Sequence, residues 1–267
     1  MAPLLGVSWS PAAAALRDLS YFVDVVEAPG WALGEDGVRQ QSRVLLHNLD
    51  RDMSLAAPDA IDEAWGRRAN EAVKGTSTPW FSMHLGFSAE RVRYNCHMKA
   101  ASPALSRFET FERIVESIRR ATSMLSTPLL LENLDYCPGG AYEHVCEPSF
   151  ISELLSATDC GLLLDLGHLQ VTASHLGVRC EDMLDRLPLK RVVELHVSSP
   201  RVNERGGLLY DAHATIVERD LDLLRLVLAR CSPRMVVLEF RQDEEQLRSQ
   251  LLQLGRVLKR RPRPRPC

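Results

Sequence analysis

The chain has 267 residues, a length that one α/β barrel of about 250 residues accounts for. Its 45% hydrophobic and 25% charged content is that of a soluble globular protein, and its net charge of -3 gives no general attraction to nucleic acid or to an anionic membrane. No apolar stretch reaches the roughly 20 residues that cross a bilayer, and the start, Met-Ala-Pro-Leu-Leu-Gly, lacks the basic segment of a signal peptide, so we expect a cytoplasmic protein that contacts neither nucleic acid nor membrane.

Eight apolar runs of strand length are spaced along the chain. Runs that are apolar on both faces are typical of parallel strands with helices packed on each side of the sheet. Eight parallel strands are the number that closes a (β/α)8 barrel. The runs are Leu4–Trp9, Tyr21–Glu27, Val44–Leu49, Trp80–Phe87, Pro128–Asn133, Gly161–Leu166, Arg191–Val197 and Met235–Phe240.

Amphipathic stretches with a helical period lie between several of these runs. The clearest are Phe108–Met124, Ile216–Leu228 and Glu245–Leu258, and Pro148 suits the first turn of a further helix that runs through Leu155. Strands and helices alternate without a break in composition. We therefore predict one α/β domain, a single TIM barrel over residues 1–258.

Two longer segments interrupt this alternation, and both are predicted to be loops. Asp135–Pro148 follows the fifth run and Ser198–Ala214 follows the seventh, so both leave the carboxyl end of a strand, where TIM-barrel enzymes build their active sites. The seven cysteines are scattered and include no Cys-x-x-Cys pair, which argues against a disulfide framework and a zinc ribbon. Cys137 and Cys146 flank the first loop, and a catalytic role for one of them stays open.

The chain ends in a basic, proline-rich tail, residues 259–267, with the sequence Lys-Arg-Arg-Pro-Arg-Pro-Arg-Pro-Cys. Charge and proline content predict that this tail is disordered. A contact with a protein or a nucleic acid is the alternative.

Acids and histidines stand at or just beyond the carboxyl ends of the apolar runs, where they are costly to bury unless they pair or bind a metal. Imidazole and carboxylate ligands together suit iron, manganese or zinc, and the lack of a cysteine cluster argues against an iron–sulfur centre. One ion takes about four to six ligands, so this set predicts two or three ions with bridging carboxylates. The nine candidates are His47, His84, Glu132, Asp165, His168, His196, Asp211, His213 and Glu239.

Taken singly, several of these residues also have ordinary structural interpretations. His47 and His84 are of a kind often found in cores, bonded to backbone. Asp165, three residues before His168, fits the N-cap of a helix. The pair Asp211 and His213 lies in a segment where exposed polar residues are usual. Taken together, the set favours a polynuclear metal site at the barrel mouth.

The motifs that carry these residues resemble the multinuclear non-haem iron-dependent oxidases, a family formerly classed as a domain of unknown function. The matching pieces span most of the chain in the family's order. Glu132–Pro148 is similar, more narrowly, to the catalytic subunit of methanobactin-biosynthesis oxidase complexes. The pieces are Met-His84-Leu-Gly-Phe-Ser, Leu-Glu132-Asn133, Asp165-Leu-Gly-His168, Glu-Leu-His196-Val-Ser, Asp211-Ala-His213 and Leu-Glu239.

The resemblance implies a TIM barrel that holds two or three iron ions, as Fe(II) or Fe(III). By position, His47, His84 and Glu132 would hold the first iron. Glu132, Asp165, His196 and Glu239 would hold the second and form the catalytic centre, with Glu132 bridging. A third, more labile position would be surrounded by Asn133, His168, Asp211 and His213. Trp9 and Glu27 match less distinctively and are left outside the predicted site.

The resemblance also implies an activity and partners. The substrate would be a ribosomally made precursor peptide, with O₂ as co-substrate, and a small partner subunit in a heterodimer would recruit the peptide's leader. A cysteine and its preceding residue would become an oxazolone with an adjacent thioamide, which removes four hydrogens and is a four-electron oxidation.

Three other functions remain as alternatives. One is an oxidase of the same family that acts on another cysteine peptide, for example by excising the cysteine β-carbon. Another is a zinc- or manganese-dependent TIM-barrel hydrolase or isomerase of the endonuclease IV or xylose-isomerase type. The last is a non-catalytic metal-binding or scaffold protein. Metal identity and dependence on O₂ separate them.

Overall fold

The structure is a computed structural model that describes residues 2–50, 53–76, 78–95, 97–203 and 207–260. Its described part contains twelve strands and ten α-helices. The strands are β1 (Leu4–Ser8), β2 (Val25–Ala28), β3 (Val44–His47), β4 (Phe81–His84), β5 (Val92–Asn95), β6 (His97–Ala100), β7 (Leu129–Glu132), β8 (Gly161–Asp165), β9 (Val192–Val197), β10 (Ser199–Val202), β11 (Leu209–Ala214) and β12 (Met235–Leu238). The helices are α1 (Pro11–Ala15), α2 (Leu19–Phe22), α3 (Asp36–Arg39), α4 (Glu63–Thr76), α5 (Arg107–Met124), α6 (Pro148–Thr158), α7 (Leu166–Leu176), α8 (Cys180–Leu184), α9 (Glu218–Leu228) and α10 (Glu244–Val257).

Eight parallel strands close into a barrel in the order β1-β12-β9-β8-β7-β4-β3-β2, which confirms the predicted TIM-barrel fold. Each of the eight predicted runs overlaps one of these strands, and only β2 extends past its run, by Ala28. None of the helices in the described ranges is both long and apolar enough to cross a membrane.

The beginning of the second predicted strand was wrong. Tyr21 and Phe22 complete α2, and β2 starts only at Val25. The amide of Val23 closes a helical turn on the carbonyl of Leu19, at 3.2 Å. A run of so few apolar and aromatic residues is too short to show whether its period is that of a helix or of a strand. The pattern therefore predicted a strand where a helical turn forms.

The segment predicted as the second long loop contains a β-hairpin instead. β10 and β11 pair antiparallel within 198–214, and residues 204–206 between them lie outside the described residues. The alternation along β11, Leu-Tyr-Asp-Ala-His-Ala, places polar side chains toward the barrel mouth and so resembles a loop in sequence. A second hairpin, β5 with β6, follows β4.

The barrel interior explains why the polar strand ends converge. Successive side chains of a strand point to opposite faces, so residues two apart share a face. The buried apolar layer inside the barrel includes Val25, Leu45, Leu130, Leu163 and Val237. The residue two positions after each is an acid or a histidine, and the strand period therefore aims it into the barrel just above this layer. Those residues are Glu27, His47, Glu132, Asp165 and Glu239.

The helices cover the outer faces of the strands through a larger apolar cluster that includes Trp65, Ile114 and Phe150. Beyond α10, Arg260 donates to the carbonyl of Phe22 and pairs with Asp24. Residues 261–267 of the predicted disordered tail lie outside the described residues.

Candidate metal centre

The first group of candidate ligands contains His47, His84 and Glu132, at the ends of three adjacent strands. Glu132 Oε2 lies 3.2 Å from His47 Nε2 and 3.3 Å from His84 Nε2. This oxygen is buried and has no hydrogen-bond partner among the described residues. Ser82 Oγ lies 2.9 Å from His47 Nδ1 and orients that ring, while Asn48 Nδ2 lies 2.6 Å from Nε2, a contact that a cation at this nitrogen would replace.

The second group surrounds His196, which is fully buried on β9. Its Nδ1 lies 3.5 Å from Glu132 Oε1, 3.7 Å from Asp165 Oδ2 and 3.7 Å from Glu239 Oε2. Nδ1 and Asp165 Oδ2 have no hydrogen-bond partner in the described part of the chain. Asp165 also caps α7, because its other oxygen, Oδ1, accepts from the amide of His168 at 2.6 Å. The capping role and the site role therefore use different oxygens of one carboxylate.

The third group joins α7 to the β10–β11 hairpin. His168 Nδ1 lies 2.8 Å from the carbonyl oxygen of Asn133, which leaves Nε2 to face Asp211 Oδ2 at 3.9 Å. His213 Nε2 lies 3.1 Å from that Asp211 oxygen and 3.0 Å from Glu239 Oε2. All nine residues predicted at the mouth are thus brought together.

Asn133 behaves differently from the other predicted site residues. Its Nδ2 donates to the carbonyl of Asp165 at 3.0 Å, and its Oδ1 accepts from the amide of Asp165 at 2.8 Å. Both ends of the side-chain amide therefore brace the end of β8 and hold Asp165 in place.

The spacing of these atoms fits shared cations. Two ligands about 2.1 Å from one ion are about 3.0 Å apart at a right angle and about 3.4 Å apart in a tetrahedron. The nitrogen–oxygen distances between the candidate ligands, 3.0 to 3.9 Å, fall in this range or slightly beyond it. Several of these contacts are not hydrogen bonds, so hydrogen bonding does not explain why the atoms lie so close together. Buried, unpartnered Glu132 Oε2, Asp165 Oδ2 and His196 Nδ1 are the atoms that a metal centre would satisfy. The donor set of imidazoles and carboxylates suits iron, manganese and zinc alike.

The pKa values show how strongly these groups depend on one another. Burial alone would lower the pKa of His196, but the charges of Glu27 and Glu239 raise it well above its usual value. Burial raises the pKa of Asp165 to about 7. Burial lowers the pKa of His84 to about 4, so this imidazole is neutral near pH 7, as a metal ligand must be.

The structure adds a residue that the sequence comparison had left out. Glu27, at 2% exposure, faces the barrel interior, and its Oε1 lies 3.0 Å from His196 Nε2. Its signal was present, because it ends an apolar run in the same way as Glu132 and Glu239 do. Asp135 lies farther out, and burial raises its pKa to about 6.

Neither cysteine near the site has the properties of an activated nucleophile. Cys146 is buried, and burial raises the pKa of its thiol well above the usual value. Burial also raises the pKa of Cys137. A nucleophilic thiol needs a lowered pKa, so the structure gives no support to a catalytic cysteine at these two positions.

A family model described as "RiPP precursor modification enzyme MbnB/TglH/ChrH" matches residues 30–258 of the chain. The match includes every residue of the nine-member set.

Curated relatives share the sequence over most of this chain. A UPF0276 protein of Paraburkholderia phytofirmans is 30% identical over 207 residues, which are 76% of this chain and 66% of the relative. A UPF0276 protein of Caulobacter sp. is 32% identical over 158 residues, 57% of each chain. The relative from Rhizobium meliloti is 28% identical over 207 residues, 76% of this chain and 65% of that protein. The chain thus spans somewhat less than two thirds of the length of these relatives.

Solved structures share the barrel at low sequence identity. A D-psicose 3-epimerase superposes with a TM-score of 0.60 and 13% identity over 96% of this chain and 99% of that one. Endonuclease IV from Thermus thermophilus gives a TM-score of 0.59 and 19% identity over the same shares of each chain. These likenesses establish the fold alone.

Proposed function

Because this chain belongs to the family of RiPP precursor modification enzymes described as MbnB/TglH/ChrH, we propose that it is an iron- and O₂-dependent oxidase that modifies cysteine residues of a ribosomally made precursor peptide. The family name describes modification of such precursors. The metal, the co-substrate and the type of modification are parts of the proposal.

The position of Glu132 is the observation that carries the proposal. Its Oε2 lies within 3.3 Å of the Nε2 atoms of His47 and His84. Its Oε1 lies 3.4 Å from His168 Nδ1 and 3.5 Å from His196 Nδ1. One carboxylate thus faces imidazoles on two sides, which is the arrangement of a bridging ligand between neighbouring ions.

We assign the ligands accordingly. The first iron would be held by His47, His84 and Glu132. The second would be held by Glu132, Asp165, His196 and Glu239. A third position would use His168, Asp211 and His213, while Asn133, whose side-chain amide is bonded to the backbone of Asp165, would act as a brace.

The burial of the candidate ligands indicates where the peptide enters. The side chains of His196 and Asp165 are 0% exposed, whereas that of His84 is 33% exposed. The apolar layer beneath the cluster closes the barrel from below, so the open side lies at the mouth beside His84. We therefore place the target cysteine next to the first group of ligands.

Iron bound here would supply a Lewis acid for the cysteine thiolate and a redox centre that passes electrons from the peptide to O₂. The protein's part is to fix the ligands, to balance their charges in a dry cavity and to admit the peptide from one side. Conversion of a cysteine and its preceding residue into an oxazolone with an adjacent thioamide removes four hydrogen atoms, that is, four protons and four electrons. One O₂ takes up these protons and electrons and becomes two waters, so no other reductant is required.

The proposal includes a methanobactin-type product and a heterodimer with a small leader-recruiting subunit in the cytoplasm. The test uses anaerobically purified protein with Fe(II), the partner subunit and a short cysteine-containing peptide encoded beside its gene. After O₂ is admitted, we expect the peptide to lose four hydrogen atoms in mass. Loss of a CH₂ unit would instead indicate β-carbon excision.

A peptide with the target cysteine replaced by serine is the control and should remain unmodified. Turnover of that peptide, or an unchanged mass and no O₂ uptake with the cysteine peptide, would contradict the proposal.

A further inference from the structure

Glu27 lies on the far side of the His196 ring from the candidate ligands. Its Oε1 is 3.0 Å from His196 Nε2, and both residues are almost fully buried. The other ring nitrogen, Nδ1, faces the carboxylates of Glu132, Asp165 and Glu239 at 3.5 to 3.7 Å. The two nitrogens of one imidazole therefore have different surroundings.

This difference fixes the tautomer of a neutral His196. Glu27 Oε1 lies at hydrogen-bond distance from Nε2 and accepts from it, so the nitrogen beside Glu27 carries the proton. The lone pair then belongs to Nδ1, the atom that has no hydrogen-bond partner among the described residues. A histidine that donates one N–H to a carboxylate while it ligates through the other nitrogen is a common arrangement in metal sites.

We propose that Glu27 is a positioning residue that holds His196 with its proton on Nε2, so that Nδ1 is the atom offered to the metal centre. The inference rests on the proposed metal centre. It concerns how one ligand is oriented and requires neither a particular metal nor a particular peptide.

A rival arrangement makes Glu27 a ligand itself. Glu27, His196 and Glu239 each have one ligand atom within 4.8 Å of the others'. If an ion were held through His196 Nε2, however, Nδ1 would carry the proton, and the carboxylate oxygens that face it lie 3.5 to 3.7 Å away, too far for a good hydrogen bond. The positioning role satisfies both nitrogens, whereas the ligand role satisfies one.

Glu194 provides a comparison inside the barrel, two residues before His196 on β9. It is also 0% exposed, but its Oε1 lies 3.9 Å from His196 Nε2, beyond hydrogen-bond range. Its Oε2 accepts instead from Trp80 Nε1 at 2.7 Å. Burial raises the pKa of Glu194 to about 8, so its replacement by an amide changes a buried acid near His196 and leaves the Glu27–His196 contact in place.

The experiment compares metal binding by the full-length wild type and the variants Glu27→Gln, Glu27→Met and Glu194→Gln. Apo proteins are titrated anaerobically with Fe(II), and with Co(II) as a spectroscopic probe. We expect every variant to bind as many ions as the wild type. The affinity of the His196 position should fall about tenfold in Glu27→Gln, which keeps an acceptor, and about 100-fold in Glu27→Met, which has none. The Co(II) absorption bands should shift in both Glu27 variants and remain in place in Glu194→Gln.

Each other outcome has a definite meaning. The loss of one whole ion in Glu27→Gln would make Glu27 a ligand and overturn the inference. A Glu27→Gln variant with wild-type affinity and a wild-type Co(II) spectrum would also overturn the inference. If Glu27→Met does not fold, the result for Glu27→Gln alone decides the question. If the wild type binds no metal, the proposed function is contradicted. If the wild type binds metal and the Glu27 variants bind it equally well, only the role of Glu27 is contradicted.

Discussion

Glu132 is 1% exposed at the end of β7 and yet faces four imidazoles. A buried charge of this kind is tolerated only with compensating partners. In the proposed centre those partners are two ions that share the carboxylate. The role of this residue is therefore the first feature to test at the scale of single side chains.

Glu132→Gln should lower the iron content by at least one ion per chain. The amide removes the bridging charge and places an N–H group where a ligand oxygen is required. Metal analysis of the purified variant measures this loss. Glu116→Gln, on the exposed face of α5, is the control and should keep the wild-type content. Full iron content in Glu132→Gln would contradict the bridging assignment.

Asn133→Ala should lower both the free energy of unfolding and the iron affinity. The substitution removes two buried hydrogen bonds to the backbone of Asp165, and each buried group left unpaired costs about 1–3 kcal/mol. Urea unfolding of the apo protein and Fe(II) titration measure the two effects.

Asn70 offers a matched control far from the site. Its side chain donates to the carbonyl of Met124 at 2.7 Å and accepts from the amide of Ser126 at 3.0 Å. Asn70→Ala should destabilise the protein, though less than Asn133→Ala because its bond with the Ser126 amide is exposed, and should leave iron affinity unchanged. Equal losses of affinity in both variants would show that Asn133 acts through general stability alone.

At the scale of elements, the first turn of α7 packs closely against the residue that follows β9. A Cβ atom added at Gly167 would come well within 3.0 Å of Ser198 Oγ and would lie 3.2 Å from Asp165 Oδ1. Glycine is therefore required between the two site residues Asp165 and His168. The motif Asp-Leu-Gly-His thus combines the cap of α7, the close contact of Gly167 with Ser198 and two candidate ligands.

Gly167→Ala should destabilise the fold by about 1–3 kcal/mol, as overpacking does, and should reduce iron content. Ser198→Ala in the same chain removes the contacting oxygen, so the double variant should recover much of the loss. Gly255→Ala in α10 meets nothing within 4 Å and should stabilise by up to about 1 kcal/mol. Thermal unfolding of the four proteins measures these effects, and a neutral Gly167→Ala would contradict the packing argument.

The eight barrel strands could be predicted because a strand buried on both faces leaves an uninterrupted apolar run, as the three leucines before Glu132 do in β7. The hairpin β10–β11 could not, because the inward side chains of β11 are site residues and so remove the apolar signal. The start of β2 was misplaced where Tyr21 and Phe22 fit either a helical turn or a strand. Short polar elements depend on tertiary contacts that a local pattern does not contain.

Most residues of the candidate site could be predicted from their positions at the ends of strands. Their division into groups of ligands and bracing residues could not. Strand periodicity aims Glu132 and Asp165 at one mouth, whereas the bracing of Asp165 by Asn133 depends on atomic positions in two neighbouring strands. The contact between Glu27 and His196 joins residues 169 positions apart in the chain. Such long-range pairs are visible only once the barrel closes.

In the molecule as a whole, apolar side chains fill the barrel beneath the candidate ligands, and the barrel is open at the mouth where these ligands lie. Candidate ligands from several strands and from the β10–β11 hairpin meet there, so bound ions would join distant parts of the chain. A ligand that binds only the folded state stabilises it by mass action. Metal binding should therefore raise the free energy of unfolding.

Removal of metal by a chelator should lower the thermal midpoint, and iron should restore it. The stabilisation is about 2.7 kcal/mol when free metal is 100 times its dissociation constant. Differential scanning calorimetry of apo and iron-loaded protein, without oxygen, measures the difference. Identical midpoints for a protein shown to carry iron would contradict the coupling between the centre and the barrel.

Elemental analysis of protein purified without oxygen measures whether the barrel mouth holds a polynuclear iron centre. We predict two to three iron ions per chain. Stoichiometric zinc or manganese without iron would contradict the account and favour a metal-dependent hydrolase or isomerase on the same fold.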